Sequence, residues 1–436
     1  MPIGLINGLL DFSHTIQEEY MFGRKKIEDV FTPRNSDVNT KMYIKRPILE
    51  KELIRSIKGS MHSFLFGESG NGKSWLYKKL LAENNIDFVV ANCASASIKK
   101  SLIDEIYSVS IEAGSTNKIN YSETKKAGFS AIGTAEVAHQ GNYEIKQDHK
   151  LLASFKALNQ RTQSKPVVIV FDNVETIFKN EELMSELSDI IILLDDQRYA
   201  QYNVKFLIVG VPNQVLEYFS SAKNPSSVGN RIEEITRVCG LEYPQVLEFV
   251  TKGFNEYLHI ELSELQLKRL ARHIFDITLG VPQRIHEYCG CLAYIIEDND
   301  WEYKPSLLDD ADFNWLKKGL RENYTVIEKH LNSDETTNGR RNQVIYALGR
   351  IAHHQVNTTT VGEQITEEFP NSSPESNSGI GQVLSHLSKG DKPVLKKISN
   401  SRAYALTDPR YLMCIRVMLY KEEETEKVKK KLFRLS

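Results

Sequence analysis

Gly67-Glu68-Ser69-Gly70-Asn71-Gly72-Lys73-Ser74 is a glycine-rich run closed by Lys-Ser, with the spacing G-x-x-x-x-G-K-[ST]. Residues 63–66 before it read as a strand and the residues after it as a helix, the setting this spacing requires. The glycines let backbone N–H groups wrap an oligophosphate without Cβ clashes. The following helix aims its positive N-terminus at the same place. Lys73 then reaches the outer phosphates and Ser74 takes a Mg²⁺ ion, with Glu68, Ser69 and Asn71 completing the loop.

Outward from the loop, strands and helices alternate. Residues 47–57 carry apolar side chains at helical spacing, and four further β-branched or aromatic runs lie at 87–91, 167–171, 205–210 and 235–239. Such alternation predicts parallel crossovers and a sheet covered on both faces, a three-layer α/β domain. The run 167–171 ends in Asp172. Read as the neighbour of the strand before the loop, it puts Asp172 at the carboxyl edge of the sheet, where it serves Mg²⁺. Asn173 follows, where many ATPases place the glutamate that activates the attacking water, so Glu175 is the nearest carboxylate for that task. Residues 114–148 interrupt the rhythm with small and polar residues and predict a two-stranded excursion or a loop.

The chain has 436 residues, with 41% hydrophobic and 26% charged side chains, which excludes disorder, collagen and small disulfide scaffolds and suggests about three domains. The five cysteines, Cys93, Cys239, Cys289, Cys291 and Cys414, have no regular framework and favour a reducing compartment. Cys289 and Cys291 sit about 200° apart on a helix and read as structural thiols. The first ten residues lack the basic start of a signal peptide, and no apolar run reaches the roughly 20 residues of a membrane span. The expectation is a cytoplasmic protein.

After residue 243 the pattern turns helical, at 246–258, 263–277, 281–296 and 309–331. The last hundred residues show three helices, 343–353, 361–369 and 380–387, then a hairpin, 394–398 with 403–406, which together make a winged-helix pattern. The formal net charge of −2 is a cancellation: residues 336–436 hold 16 Lys and Arg against 10 Asp and Glu, the first 335 residues 39 against 47. Lys389, Lys392, Lys396, Lys397 and Arg402 cluster on the wing, suited to non-specific contact with DNA phosphates, the alternatives being a protein-docking or autoinhibitory winged helix or a plain extension of the lid. The helix before them carries no Arg or Lys, so base readout is not expected. Lys427, Lys429, Lys430, Lys431 and Arg434 form a second cluster in a tail whose spacing reads as an amphipathic helix.

These residues resemble the AAA+ superfamily over about 43–420, in the bacterial and archaeal branch near the origin-recognition and helicase-loader ATPases and the STAND switch ATPases. The resemblance implies a five-stranded parallel sheet followed by a helical lid, with ATP between them. The organisation is then an adaptor at 1–42, an ATPase core at 43–242 with an insertion at 114–148, a lid at 243–335, a winged helix at 336–420 and a charged tail at 421–436. Tyr43-Ile44-Lys45-Arg46 is similar to the family's lead-in, which assigns Arg46 to the nucleotide. Asn213 falls at the sensor-1 position. Arg231, in Ser226-Ser227-Val228-Gly229-Asn230-Arg231, corresponds to the arginine finger, and Arg284, in Gly280-Val281-Pro282-Gln283-Arg284, to sensor 2.

Two arginines converging on one phosphate imply assembly into a homo-oligomer. The expectation is an ATP-hydrolysing assembly switch, slowed by Asn173, that recruits or gates a separate effector protein in antiviral defence. The alternative is an origin-recognition-like or loader ATPase acting on DNA through its winged helix. No membrane contact is expected.

Overall fold

Val167, Val168, Ile169, Val170 and Phe171 are all essentially inaccessible to solvent, as a strand covered on both faces must be. The strand they form, β3 (Val167–Asp172), lies inside a five-stranded sheet with β1 (His62–Phe66), β2 (Asp87–Asn92), β4 (Val204–Gly210) and β5 (Ile232–Glu234). The order is β2-β3-β4-β1-β5 and all pairs are parallel. The structure is a computed structural model and describes residues 23–111, 147–163, 165–211, 219, 225–332, 339–351, 355–372 and 378–431. The expected insertion at 114–148 lies almost wholly outside the described residues.

Side chains alternate across the sheet. Leu65, Val168, Val170, Leu207 and Val209 pack on Leu53, Ile57, Leu76, Tyr77 and Leu80 from helices α1 (Pro47–Lys58) and α2 (Lys73–Glu83). Phe64, Val89, Ile169, Phe171, Phe206 and Ile208 pack on the other face against helices α3 (Cys93–Lys99), α4 (Leu102–Ile111), α5 (Gln147–Arg161) and α6 (Glu181–Leu193). The fold class is the expected three-layer α/β sheet. Two expectations are corrected. β4 stands between β1 and β3, so Asp172 is not on the strand next to the loop, although the parallel ladders keep both at one sheet edge. The fifth strand is Ile232–Glu234, not 235–239. Beyond it Ile235 and Val238 still donate to Phe64 O (3.0 Å) and Phe66 O (2.8 Å), but Glu52 takes the N–H of Thr236 and interrupts the ladder.

The chain divides into two compact units, Asn35–Cys239 and the remainder. The second contains the helices α7 (Tyr243–Val250), α8 (Glu264–Thr278), α9 (Pro282–Asp298), α10 (Leu307–Trp315) and α11 (Arg321–His330). It also contains α12 (Arg340–Arg350), α13 (Thr358–Glu368), α14 (Ser378–Leu387) and a small sheet of β6 (Gln355–Val356), β8 (Tyr404–Leu406) and β7 (Leu395–Lys397), the winged-helix arrangement. A helix not foreseen in the sequence, α15 (Arg410–Met418), buries most of its residues. Asp276 ties these parts together, accepting from Arg350 (3.1 Å) and Arg416 (3.0 Å).

The tail is a hairpin, β9 (Leu419–Glu422) with β10 (Lys427–Lys430), and not the amphipathic helix that its charge spacing suggested. Antiparallel pairing sets Lys427 opposite Glu422, and Lys429 bonds Glu422. Glu426, at the turn, accepts from Asn371 and Ser372. Arg434 lies outside the described residues.

Residues 24–34 pack on the helices of this second unit. Phe31 meets the rings of Phe249, Phe254 and His286, and the Thr32 N–H donates to His286 Nδ1 (3.1 Å). Burial drives the imidazole of His286 down to about 3 from an ordinary 6.5. An unfolded chain takes up that proton near pH 6.5 and the fold refuses it until about pH 3, so the contribution is complete above pH 6.5 and is lost as pH falls. Urea melts between pH 6.5 and 5 will show stability dropping by on the order of 1.4 kcal/mol per unit from this residue. His286→Asn keeps an acceptor near Nδ1 and should flatten the slope by that amount. An unchanged slope would refute the assignment.

Candidate functional site

The loop between β1 and α2 owes its path to three glycines. Gly70 and Gly72 hold φ of 85° and 82°, a left-handed backbone that side chains resist. Gly67 runs directly against Val238, whose carbonyl oxygen a Cβ at Gly67 would overlap. Asn71 donates from Nδ2 to the same carbonyl (2.9 Å), and Arg237 pairs with Glu68 (2.8 Å). Arg46 grips the loop from the other side, donating to Asn71 O (2.9 Å) and Cys239 O (3.2 Å). Its own position is set by Glu50, which accepts from the Arg46 N–H (2.9 Å) and the Tyr43 hydroxyl (2.8 Å). Ser69 is the exposed crest of the loop.

Lys73 opens α2, and its ammonium donates to Gly67 O (2.7 Å) and Glu68 O (3.1 Å). Burial lowers its pKa from the ordinary lysine value, opposed by the carboxylates of Glu175, Asp172 and Glu68 in that order. Ser74 donates to Asp172 Oδ2 (3.3 Å). Two bonds to that carboxylate were not legible in the sequence: Tyr77 OH to Oδ2 (3.0 Å) and the Asn173 N–H to Oδ1 (2.9 Å). Cys93 also lies near this group. Burial, then Asp172, Glu175 and Glu105, push its thiol up, so it stays neutral.

Asn173 has a structural reason to be what it is. It occupies φ 61°, ψ 41°, a conformation that asparagine tolerates far better than glutamate. That left-handed step starts a single 3₁₀ turn, Val174–Thr176, pinned by buried Val174 and Ile177. The turn carries Glu175 into the field of Lys73, and Glu175 Oε2 is buried with no hydrogen-bond partner among the described residues. An unpaired buried carboxylate oxygen is costly unless something else satisfies it. A serine hydroxyl, a carboxylate and an orphaned carboxylate oxygen facing a loop of backbone N–H groups form a hard oxygen set that fits Mg²⁺ and phosphate.

The other expected residues fall elsewhere. Arg231 stands beside the start of β1, where its carbonyl accepts from the His62 N–H (2.7 Å), at the sheet edge opposite the loop. It pairs with Asp195 (2.5 Å) and cannot serve its own chain's phosphates. Arg284 belongs to the second unit, in the first turn of α9, paired with Glu287 (2.6 Å). Asn213 lies outside the described residues.

On the wing, Lys389, Lys396, Lys397 and Arg402 are exposed and make no ion pair among the described residues, whereas Lys392 pairs with Glu322. The tail cations are engaged internally, Lys430 with Glu328 (2.5 Å) and Lys431 with Asp312 (3.0 Å) and Asp309 (3.2 Å). Of the second basic cluster, Lys429, Lys430 and Lys431 are thus held in ion pairs, and Lys427 stays exposed. Among the described residues no helix is long and apolar enough to cross a membrane.

Residues 55–219 match the family model described as an AAA domain. No curated protein sequence matches the chain. Among solved structures, the Walker-type ATPase paby2304 of Pyrococcus abyssi is similar at 13% identity with a TM-score of 0.51, over 89% of this chain and 99% of that one. Cdc6p from Pyrobaculum aerophilum is similar at 15% identity, TM-score 0.45, over 92% and 99%. The Aeropyrum pernix ORC2 protein, solved in ADPNP-ADP complexes, is similar at 13% identity, TM-score 0.44, over 85% and 91%. At 13% identity the likeness to the Pyrococcus abyssi protein is one of fold. The chain carries a P-loop ATPase domain of the AAA type, whose nucleotide is ATP with Mg²⁺.

Lys73→Ala should weaken binding of a fluorescent ATP analogue at least about tenfold, because it removes a charge-assisted contact to phosphate. Equilibrium titration reads this, with the melting of the nucleotide-free protein as control. Undiminished affinity would overturn the site.

Proposed function

We propose that this AAA domain makes the chain an ATP-driven assembly switch, which oligomerises with copies of itself and recruits or gates a separate effector protein, in the cytoplasm and in antiviral defence. The observation that supports a switch is where the loop's side chains are bonded. The chain passes between its two compact units at Arg34–Asn35 and again at Cys239–Gly240. Asn35 O accepts from Trp75 Nε1 (3.0 Å) and Ser36 O from Lys78 Nζ (2.8 Å), both on the helix that follows the loop. At the other passage Glu68, Asn71 and Arg46 hold Arg237, Val238 and Cys239. A loop that rearranges around phosphates pulls on both passages at once. The acidic balance of residues 1–335 favours a protein partner over a polyanion for this part of the chain.

In this reading Lys73 holds the outer phosphates, Ser74 and Asp172 hold Mg²⁺, and Arg46 braces the loop edge. Mg²⁺, when bound, neutralises charge on the phosphate oxygens. Glu175 orients and deprotonates the attacking water, from a turn rather than from the residue after Asp172, and hydrolysis is slow on that account. Arg231, at the far sheet edge, is offered to the nucleotide of a neighbouring copy, and Arg284 and Asn213 report on the phosphate state.

One observation favours the second reading, an origin-recognition-like or loader ATPase acting on DNA: four exposed wing cations, Lys389, Lys396, Lys397 and Arg402, without an ion pair among the described residues. Mass photometry with an ATP analogue, ADP or no nucleotide tests the switch. Assembly should require the analogue and vanish in Lys73→Ala. Arg231→Ala should assemble but hydrolyse at least about 100-fold more slowly. Assembly indifferent to nucleotide would sink the proposal. ATPase stimulation by duplex DNA, steeply salt-dependent and lost when the four wing cations become alanine, would select the second reading instead.

A further inference from the structure

We infer that Tyr77 is a positioning residue that holds Asp172 on the metal side of the phosphate loop and away from Lys73. The inference rests on the nucleotide reading above and adds a residue to it that no motif contains.

Tyr77 is wholly buried, in the apolar layer that α2 forms with Leu53, Leu65, Val168 and Val170. Packing alone would be served by phenylalanine, since an unpaired buried hydroxyl carries a desolvation cost. The hydroxyl donates to Asp172 Oδ2 at 3.0 Å. A carboxylate oxygen can only accept, so the phenol hydroxyl is the donor of this bond.

Helical spacing supplies the geometry. Ser74 and Tyr77 are three residues apart on α2, hence on one face, and both reach the same oxygen. The Ser74 bond is the longer, at 3.3 Å, and is the one surrendered when the serine turns to a metal ion. Tyr77 on Oδ2 and the Asn173 N–H on Oδ1 then remain, one donor per carboxylate oxygen.

The alternative position for Asp172 is close by. Lys73 feels the carboxylates of Glu175, Asp172 and Glu68 but forms an ion pair with none of them, donating to two loop carbonyls instead. A half-buried carboxylate released from Tyr77 gains by swinging onto that ammonium. Such a pair would take Asp172 from the metal and Lys73 from the phosphates. The phenol hydroxyl therefore keeps two functional groups of opposite charge apart.

Tyr77→Phe in the full-length chain tests this, read by Mn²⁺ titration with electron paramagnetic resonance in the presence of a non-hydrolysable ATP analogue. The metal concentration for half-saturation should rise about three- to tenfold, the loss of one hydrogen bond to a charged group. Analogue affinity at saturating metal should stay within about twofold. In an Asp172→Asn background the same substitution should shift the metal curve less than about twofold, whereas a general packing defect would shift it equally in both backgrounds and overturn the role. An unmoved Mn²⁺ curve in a protein whose Lys73→Ala variant has lost nucleotide refutes Tyr77 alone. Retention of nucleotide by Lys73→Ala refutes the underlying site.

Discussion

Two backbones meet at Gly67 and Val238 with no room for a side chain between them. The Val238 N–H donates to Phe66 O, and its carbonyl accepts from Asn71, so the segment leaving the sheet is laced to the phosphate loop by main chain and side chain together. Glycine at 67 permits this approach, and other features follow from it. Arg237 is brought to Glu68, Cys239 is brought to Arg46, and the exit toward the second unit begins at the loop itself. A loop that had to be free to bind phosphate has instead been built into the seam of its own domain.

The charges around the loop are balanced without being paired. Lys73, Asp172 and Glu175 share one partly buried space, where direct ion pairing would be favourable and would disable all three. Neutral groups keep them separate: Ser74, Tyr77 and the Asn173 N–H donate to Asp172, and loop carbonyls accept from Lys73. Among the described residues nothing satisfies the buried Oε2 of Glu175, which carries a desolvation cost as long as it has no partner.

In the second unit carboxylates have the opposite task. Asp276 joins α8 to the winged helix through Arg350 and Arg416, and Asp312, fully buried, gathers His273 (2.8 Å), Tyr288 (2.9 Å) and Lys431 (3.0 Å). Burial pushes the Asp312 carboxyl up, and His273 and Lys431 more than reverse this, so it stays below the usual aspartate value. Glu426 caps the same construction by fastening the terminal hairpin to Asn371 and Ser372. Lys429, Lys430 and Lys431 of the tail are engaged in ion pairs, whereas Lys389, Lys396, Lys397 and Arg402 on the wing make none among the described residues.

Short-range chemistry determined what could be read directly along the chain. The glycines and Lys73-Ser74 of the loop, the buried run ending in Asp172 and the helix–strand alternation are each set by neighbours in sequence, through backbone freedom and period; the loop and the buried run stand at the residues their pattern gave, and the alternation holds with its fifth strand at Ile232–Glu234 and not 235–239. Pairing across the chain was decided by tertiary structure alone. That β4 separates β1 from β3, that Glu52 interrupts the fifth strand, and that the tail closes as a hairpin depend on partners tens of residues away. Asn173 was visible as a departure from a pattern, but its reason, a left-handed turn that redirects Glu175, exists only as a backbone angle. The bond from Tyr77 to Asp172 belongs to the same class, because spacing reports which face a residue shares and not which atom its hydroxyl meets.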